Sequence, residues 1–180
     1  KNEGALPLKK DDTVAFIGAF AEKPRYQGGG SSHINSHKVE AAWELADKKQ
    51  VKYAMGYSLK EEAGAERLIM EAVELAKRVK VPVIFAGLPE AYESEGYDRE
   101  HMRMPEVQNL LIEQVAKVNP NTVVVLHNGS PVEMPWIDSV NGVLETYLAG
   151  EAVGGATLKV LYGEVNPSGH LAETFPLHLE

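Results

Sequence analysis

Apolar and polar positions along this chain sort into two kinds of segment that alternate. Short apolar runs bounded by glycine or polar residues read as buried strands: Val14 to Gly18, Val51 to Met55, Val81 to Gly87 and Thr122 to His127. The run Val123-Val124-Val125-Leu126 is apolar on both faces, as a strand covered on both sides must be. Pro82 fits only near the start of its strand, because it cannot donate to a ladder. Asn141 to Leu148 reads as a fifth strand. Between the strands the spacing turns helical. His37 to Lys48 sets Val39, Ala42, Trp43 and Ala46 on one face, and Glu61 to Lys80 does the same with Leu68, Ile69, Ala72, Leu75, Ala76 and Val79. Pro105 to Val118 has proline at its first turn, and Glu151 to Tyr162 is stopped by Gly163.

Strands alternating with helices predict βαβ units, hence an α/β fold: a three-layer sandwich with a mostly parallel central sheet and helices on both faces. Ligands of such sheets sit at the carboxyl ends of the strands. Two long segments without helix or strand pattern, 19 to 36 and 88 to 104, follow strands directly. They are expected on the same edge of the sheet.

Bulk composition narrows the chemistry. The 180 residues suit one domain with a full core. A formal net charge of -8 argues against nucleic acid, which needs a basic face. With no cysteine, disulfides, thiolate catalysis and cysteine-ligated metals are excluded. No apolar run approaches the ~20 residues of a membrane span. Lys1 to Leu8 reads as a linker, and Leu179-Glu180 as a cloning scar, so the chain is expected to be a domain taken from a longer enzyme.

The loop 88 to 104 carries the densest chemistry. Tyr92-Glu93-Ser94-Glu95-Gly96-Tyr97-Asp98-Arg99-Glu100 follows a buried strand and holds four acidic residues in nine positions. A carboxyl at a strand end can be built into a proton donor with a raised pKa. The competing reading is a solvated surface loop with local ion pairs of little energetic weight. Asp98 and Arg99 are expected to pair, and Glu93 and Glu95 to share a direction if the loop is extended. That leaves Glu95, beside Gly96 and Tyr97, as the best candidate for a working acid.

Three other motifs resolve to plainer roles. Gly28-Gly29-Gly30-Ser31-Ser32-His33 fails as a phosphate cradle: a dinucleotide fingerprint needs glycine where His33 stands, and a P-loop needs lysine where Ser31 stands. Its glycines fit a loop whose backbone approaches a ligand or a neighbouring domain, or a plain turn. His33 and His37 have zinc-compatible spacing, but Ile34 replaces the glutamate of that motif and no third ligand is evident, so no metal is expected. Gly129-Ser130-Pro131 lacks the Gly-x-Ser-x-Gly elbow and reads as a turn.

Several ordered motifs together resemble the carboxyl-terminal α/β sandwich domain of glycoside hydrolase family 3, the β-glucosidase and β-xylosidase family. They are Val14 to Gly18, Tyr26 to Ser32, Ser94-Glu95-Gly96-Tyr97-Asp98-Arg99, Asn128 to Val132, and the most specific, Gly163 to Pro176. The resemblance implies residues 1-12 as a linker from an amino-terminal TIM barrel, 13-176 as the domain and 177-180 as a tail. It implies a retaining β-glycosidase acting on a β-linked sugar, with the nucleophilic aspartate on the barrel. Glu95 matches the family's acid/base, and Ser31 matches a loop position that approaches the sugar. No cofactor is implied. The alternatives are a non-catalytic carbohydrate-binding or scaffold domain, and an unrelated flavodoxin-like binding module.

Overall fold

In the computed structural model, which describes residues 1–60 and 64–179, five parallel strands form one sheet. They are β1 (Val14–Ile17), β2 (Val51–Ala54), β3 (Val81–Gly87), β4 (Val123–His127) and β5 (Gly142–Glu145). Their spatial order is β2-β1-β3-β4-β5, with register such as Val14 against Val51 and Val81, and Val83 against Val123. Every residue of β1, β3 and β4 is buried, which explains their unbroken apolar runs.

Strand alternation divides this sheet between two cores. Ala15, Ile17, Ile84, Ala86, Val124 and Leu126 face one side, where they meet α3 (Ala65–Ala76) and α4 (Glu106–Val118) through Ile69, Ala72, Leu111 and Val115. Val14, Phe16, Val83, Phe85, Val123 and Val125 face the other. There they meet α1 (Ala19–Glu22), α2 (Ala42–Leu45) and α5 (Val153–Leu161). The expected three-layer sandwich is therefore present, with its sheet parallel throughout.

Element lengths differ from the sequence pattern for local reasons. The helix expected over 37–48 is confined to Ala42–Leu45. Glu40 is instead bonded to the start of the last helix, its amide to the Glu151 carbonyl at 2.8 Å and its carbonyl to the Gly154 amide at 3.2 Å. The chain turns extended again at Ala46. Residues 61–63 of the next expected helix lie outside the described residues; α3 starts after Gly64. β5 is assigned only to Glu145, although Thr146 still holds to β4, its amide and hydroxyl both donating to the Leu126 carbonyl at 3.0 and 2.6 Å. Tyr147 then takes a left-handed φ of 50°. The segment 19–36 is not all loop: it opens with α1 and includes a 3-10 turn at Gly30–Ser32.

Residues 1–8, read above as a linker, lie against the domain. Asn2 bridges to Gly142, Leu8 donates to the Leu161 carbonyl at 2.7 Å, and the side chains of Ala5 and Leu8 join the second core. Among the described residues no helix is long and apolar enough to cross a membrane.

The strand order fixes where the chemistry gathers. From β1 the chain runs outward to β2 and then returns to the opposite side of β1 for β3. The connections leaving β1 and β3 therefore diverge, which opens a crevice between their carboxyl ends. The segments after Ile17 and after Gly87 flank this crevice, as expected.

Candidate functional site

Glycines allow these two loops to touch. Gly30 has φ +71°, and a Cβ there would fall 2.5 Å from Glu95 Cβ. A Cβ at Gly29 would come within 2.9 Å of Ser94 Oγ. The glycine triplet thus admits the acidic loop of its own domain, where the sequence had suggested a ligand, a neighbouring domain or a plain turn.

Glu95 is exposed and accepts a hydrogen bond from the Ser31 amide at 2.6 Å. The two residues singled out in the sequence are thereby brought together. The Ser31 hydroxyl, and then its amide, hold the Glu95 carboxyl below its ordinary value near 4.5, by stabilising the charged form. In this domain the shift is thus opposite to the raised pKa that a proton donor requires. Both residues line a cleft of about 670 Å³, together with Tyr97, Asp98, Arg99 and Gly129.

Glu93 does not share Glu95's direction. It turns inward and forms an ion pair with Arg25, which lies in the loop after β1. The two side chains are only 6% and 13% exposed, which makes this pair energetically different from the surface contacts elsewhere. The same carboxylate accepts from the Gly129 amide at 2.9 Å and from the Ser130 hydroxyl. Arg25 also donates to the Leu88 carbonyl at 3.0 Å and the Glu93 carbonyl at 3.3 Å. The expected Asp98–Arg99 pair does not form. Arg99 donates to the Pro131 carbonyl at 2.6 Å and lies 3.9 Å from Glu93. A backbone acceptor within reach and a buried carboxylate outcompete its exposed neighbour Asp98.

Ser130 is a turn residue, as its sequence suggested, but its hydroxyl is committed to Glu93. His33 is exposed beside Gln27, and the His37 amide donates to Glu151 at 2.8 Å. No group of three or more His, Cys, Asp or Glu among the described residues is placed to hold a metal ion.

A third carboxyl went unnoticed in the sequence. Glu145, at the end of β5, accepts from Asn128 Nδ2 at 3.1 Å and from the Tyr147 amide at 2.8 Å. Burial, reinforced by the charge on Glu93, pushes its pKa up to about 7 despite those donors. Nearby His127 is fully buried between Phe20 and Phe85, and burial pushes its pKa down to about 4. Neither residue stands in a recognisable motif. Only the turn after β5 could have hinted that Glu145 faces inward.

This arrangement defines a class: an α/β sandwich domain that presents an exposed carboxylate at the carboxyl end of its central strand, over a cleft bordered by two loops from the switch point. The strand order is shared with flavodoxin-like modules, but the glycines that would cradle phosphate there are spent on contact with Ser94 and Glu95. The chain matches the glycosyl hydrolase family 3 C-terminal domain over residues 1–180, and it belongs to that family. It is 58% identical to thermostable beta-glucosidase B of Acetivibrio thermocellus across 99% of its own length and 24% of that protein. It is 45% identical to an exo-alpha-(1->6)-L-arabinopyranosidase of Bifidobacterium breve across 99% of its length and 23% of that protein. The chain thus spans about a quarter of the length of these curated relatives. Its structure is similar to a crystal structure of the Bifidobacterium adolescentis GH3 beta-glucosidase, with a TM-score of 0.91 and 44% identity over 98% of this chain and 26% of that one.

Proposed function

We propose that this chain is the acid/base-supplying domain of a retaining β-glycosidase. Its partner is an amino-terminal TIM barrel of the same polypeptide that carries the nucleophile, and its substrate is a β-linked sugar. The observation that carries the reading is Glu95: an exposed carboxyl on a clamped loop, lining an open cleft and bonded there to Ser31. The other carboxylate of that loop turned to the interior, Glu93, is consumed by Arg25, Gly129 and Ser130.

Retaining hydrolysis needs two carboxyls about 5–5.5 Å apart across the glycosidic bond. One attacks the anomeric carbon. The other gives a proton to the leaving oxygen and later takes one from water. Glu95 supplies the second role, and Ser31 borders the sugar beside it. In the free domain Ser31 favours the ionised form of Glu95, which is the base of the second step. Covering the cleft with the barrel removes water and sets the charged nucleophile nearby. Both effects raise the Glu95 pKa toward that of an acid protonated near neutrality. Relatives of similar length of match are named for different sugars, which suits a sugar choice made mainly by the barrel.

The isolated chain is therefore expected to be inactive on aryl β-glycosides. In the full-length enzyme carrying this domain, Glu95→Ala should slow substrates with poor leaving groups most, because only these depend on protonation. Turnover by the isolated chain, or equal slowing across leaving groups, would refute the assignment. The stabilised ionised state of Glu95 is also what a non-catalytic scaffold would tolerate; that second reading requires Glu95→Ala to leave kcat/KM unchanged.

A further inference from the structure

Glu95 has little to hold it in place. Its side chain is exposed, and among the described residues Ser31 alone donates to it, through its amide at 2.6 Å and its hydroxyl. The loop around it contains one 3-10 turn, Glu90–Tyr92, and a bond from the Tyr97 hydroxyl to the Ala91 carbonyl at 2.7 Å. Acid catalysis by a carboxyl nevertheless demands placement: about 1 Å of misplacement can cost on the order of 100-fold in rate. Something must set the position of residue 95 from behind.

Two residues earlier in the chain, Glu93 is fastened from three directions. Arg25 reaches it from the loop after β1, the Gly129 amide and the Ser130 hydroxyl reach it from the loop after β4, and Arg99 borders it at 3.9 Å. Arg25 simultaneously holds the start of the acidic loop through the Leu88 carbonyl and its middle through the Glu93 carbonyl. Arg99 ties the far end of that loop to Pro131. The sites of attachment bracket residue 95 on both sides. Between them the segment lines the cleft with Ser94, Glu95, Tyr97 and Asp98, so Glu95 is presented by a strap pinned at both ends.

We propose that Glu93 is the positioning residue for Glu95. Its buried carboxylate, with Arg25 and Ser130, pins the acid-bearing loop to the edges of β1 and β4 and so sets the distance from Glu95 to the scissile oxygen. This rests on the acid/base reading of Glu95. Glu93 takes no part in proton transfer, because its oxygens are committed to donors of its own domain.

The test uses the full-length enzyme carrying this domain and two aryl β-glycosides, one with a 2,4-dinitrophenyl leaving group that departs without a proton and one with an unactivated phenyl group. Glu93→Gln removes the charge and keeps the shape. It is expected to lower kcat/KM about 10–100-fold for the phenyl glycoside while leaving the dinitrophenyl glycoside within about 3-fold. A merely structural role would lower both equally, through the fraction of folded enzyme, and that result overturns the proposal, as does no loss on either substrate. Should Glu93→Gln fail to fold, Ser130→Ala removes a single neutral donor to the same carboxylate. It should give the same split at about 3–10-fold, and its absence overturns the proposal. Glu95→Ala is assayed in parallel. If it shows no leaving-group split, the acid/base reading fails and this proposal with it; if it shows one and Glu93→Gln and Ser130→Ala do not, only the positioning role falls.

Discussion

Replacing Glu145 by glutamine should change how stability depends on pH, in a calculable direction. The Glu145 carboxyl has an ordinary value near 4.5 in the unfolded chain and about 7 in the folded one, raised chiefly by burial. The folded state therefore keeps a proton that the unfolded state has already released. Its stabilising effect is complete below pH 4.5, falls as pH rises toward 7, and is gone above that. The interval corresponds to about 3 kcal/mol at 1.36 kcal/mol per unit. His127 acts in the opposite sense. Its folded pKa of about 4 lies below the ordinary 6.5, so its stabilising effect is present above 6.5 and is lost as pH falls toward 4. The two slopes largely cancel in the parent chain, which should hold a nearly level stability between pH 4.5 and 6.5. Glu145→Gln cannot ionise and so exposes the His127 slope. Urea denaturation of chain and variant from pH 4.5 to 8 isolates the effect as a difference between them. The variant should gain relative to the parent with rising pH, by up to about 3 kcal/mol at pH 8 less the mispairing of its amide with the Tyr147 N–H. A difference that stays constant with pH would refute a buried, proton-retaining Glu145.

Two further outcomes follow from the same geometry. Glu93→Ala leaves Arg25 buried opposite no charge, so urea unfolding should show a loss of about 3–5 kcal/mol; a loss below about 1 kcal/mol would mean the ion pair is solvated. Gly30→Ala places a methyl 2.5 Å from Glu95 Cβ and forces an L residue to φ +71°, the backbone conformation alone costing about 1–2 kcal/mol. It should also free Glu95 from Ser31 and move its pKa upward, toward the ordinary value, in a carboxyl NMR titration; an unmoved pKa would contradict the Ser31 assignment.

The strands β1, β3 and β4 were legible because each is a short, doubly buried run that is apolar throughout save for His127 at the end of β4. The long amphipathic helices α3 and α4 were legible for the same reason seen at a different period. The segment 37–48 was misleading, since Val39 and Trp43 have helical spacing but Glu40 forms its backbone bonds with residues 151 and 154. A tertiary competitor more than a hundred positions away leaves no local mark. The site divides in the same manner. Glu95 and Ser31 stood out through their motifs. The pairing of Glu93 with Arg25 did not, because two side chains 68 positions apart become partners only when β1 and β3 lie side by side. Glu145 escaped notice because its chemistry comes from burial rather than from its neighbours in sequence.

The central claim is that Glu95 exchanges protons with the leaving group and with water at a bond attacked from the opposite side by another domain. The most direct measurement is the reaction of the full-length Glu95→Ala enzyme with a 2,4-dinitrophenyl β-glycoside in sodium azide. Azide needs no base to attack the glycosyl-enzyme, so kcat should rise with azide concentration and the product should be the β-glycosyl azide. No rescue, or an azide of α configuration, would contradict the account.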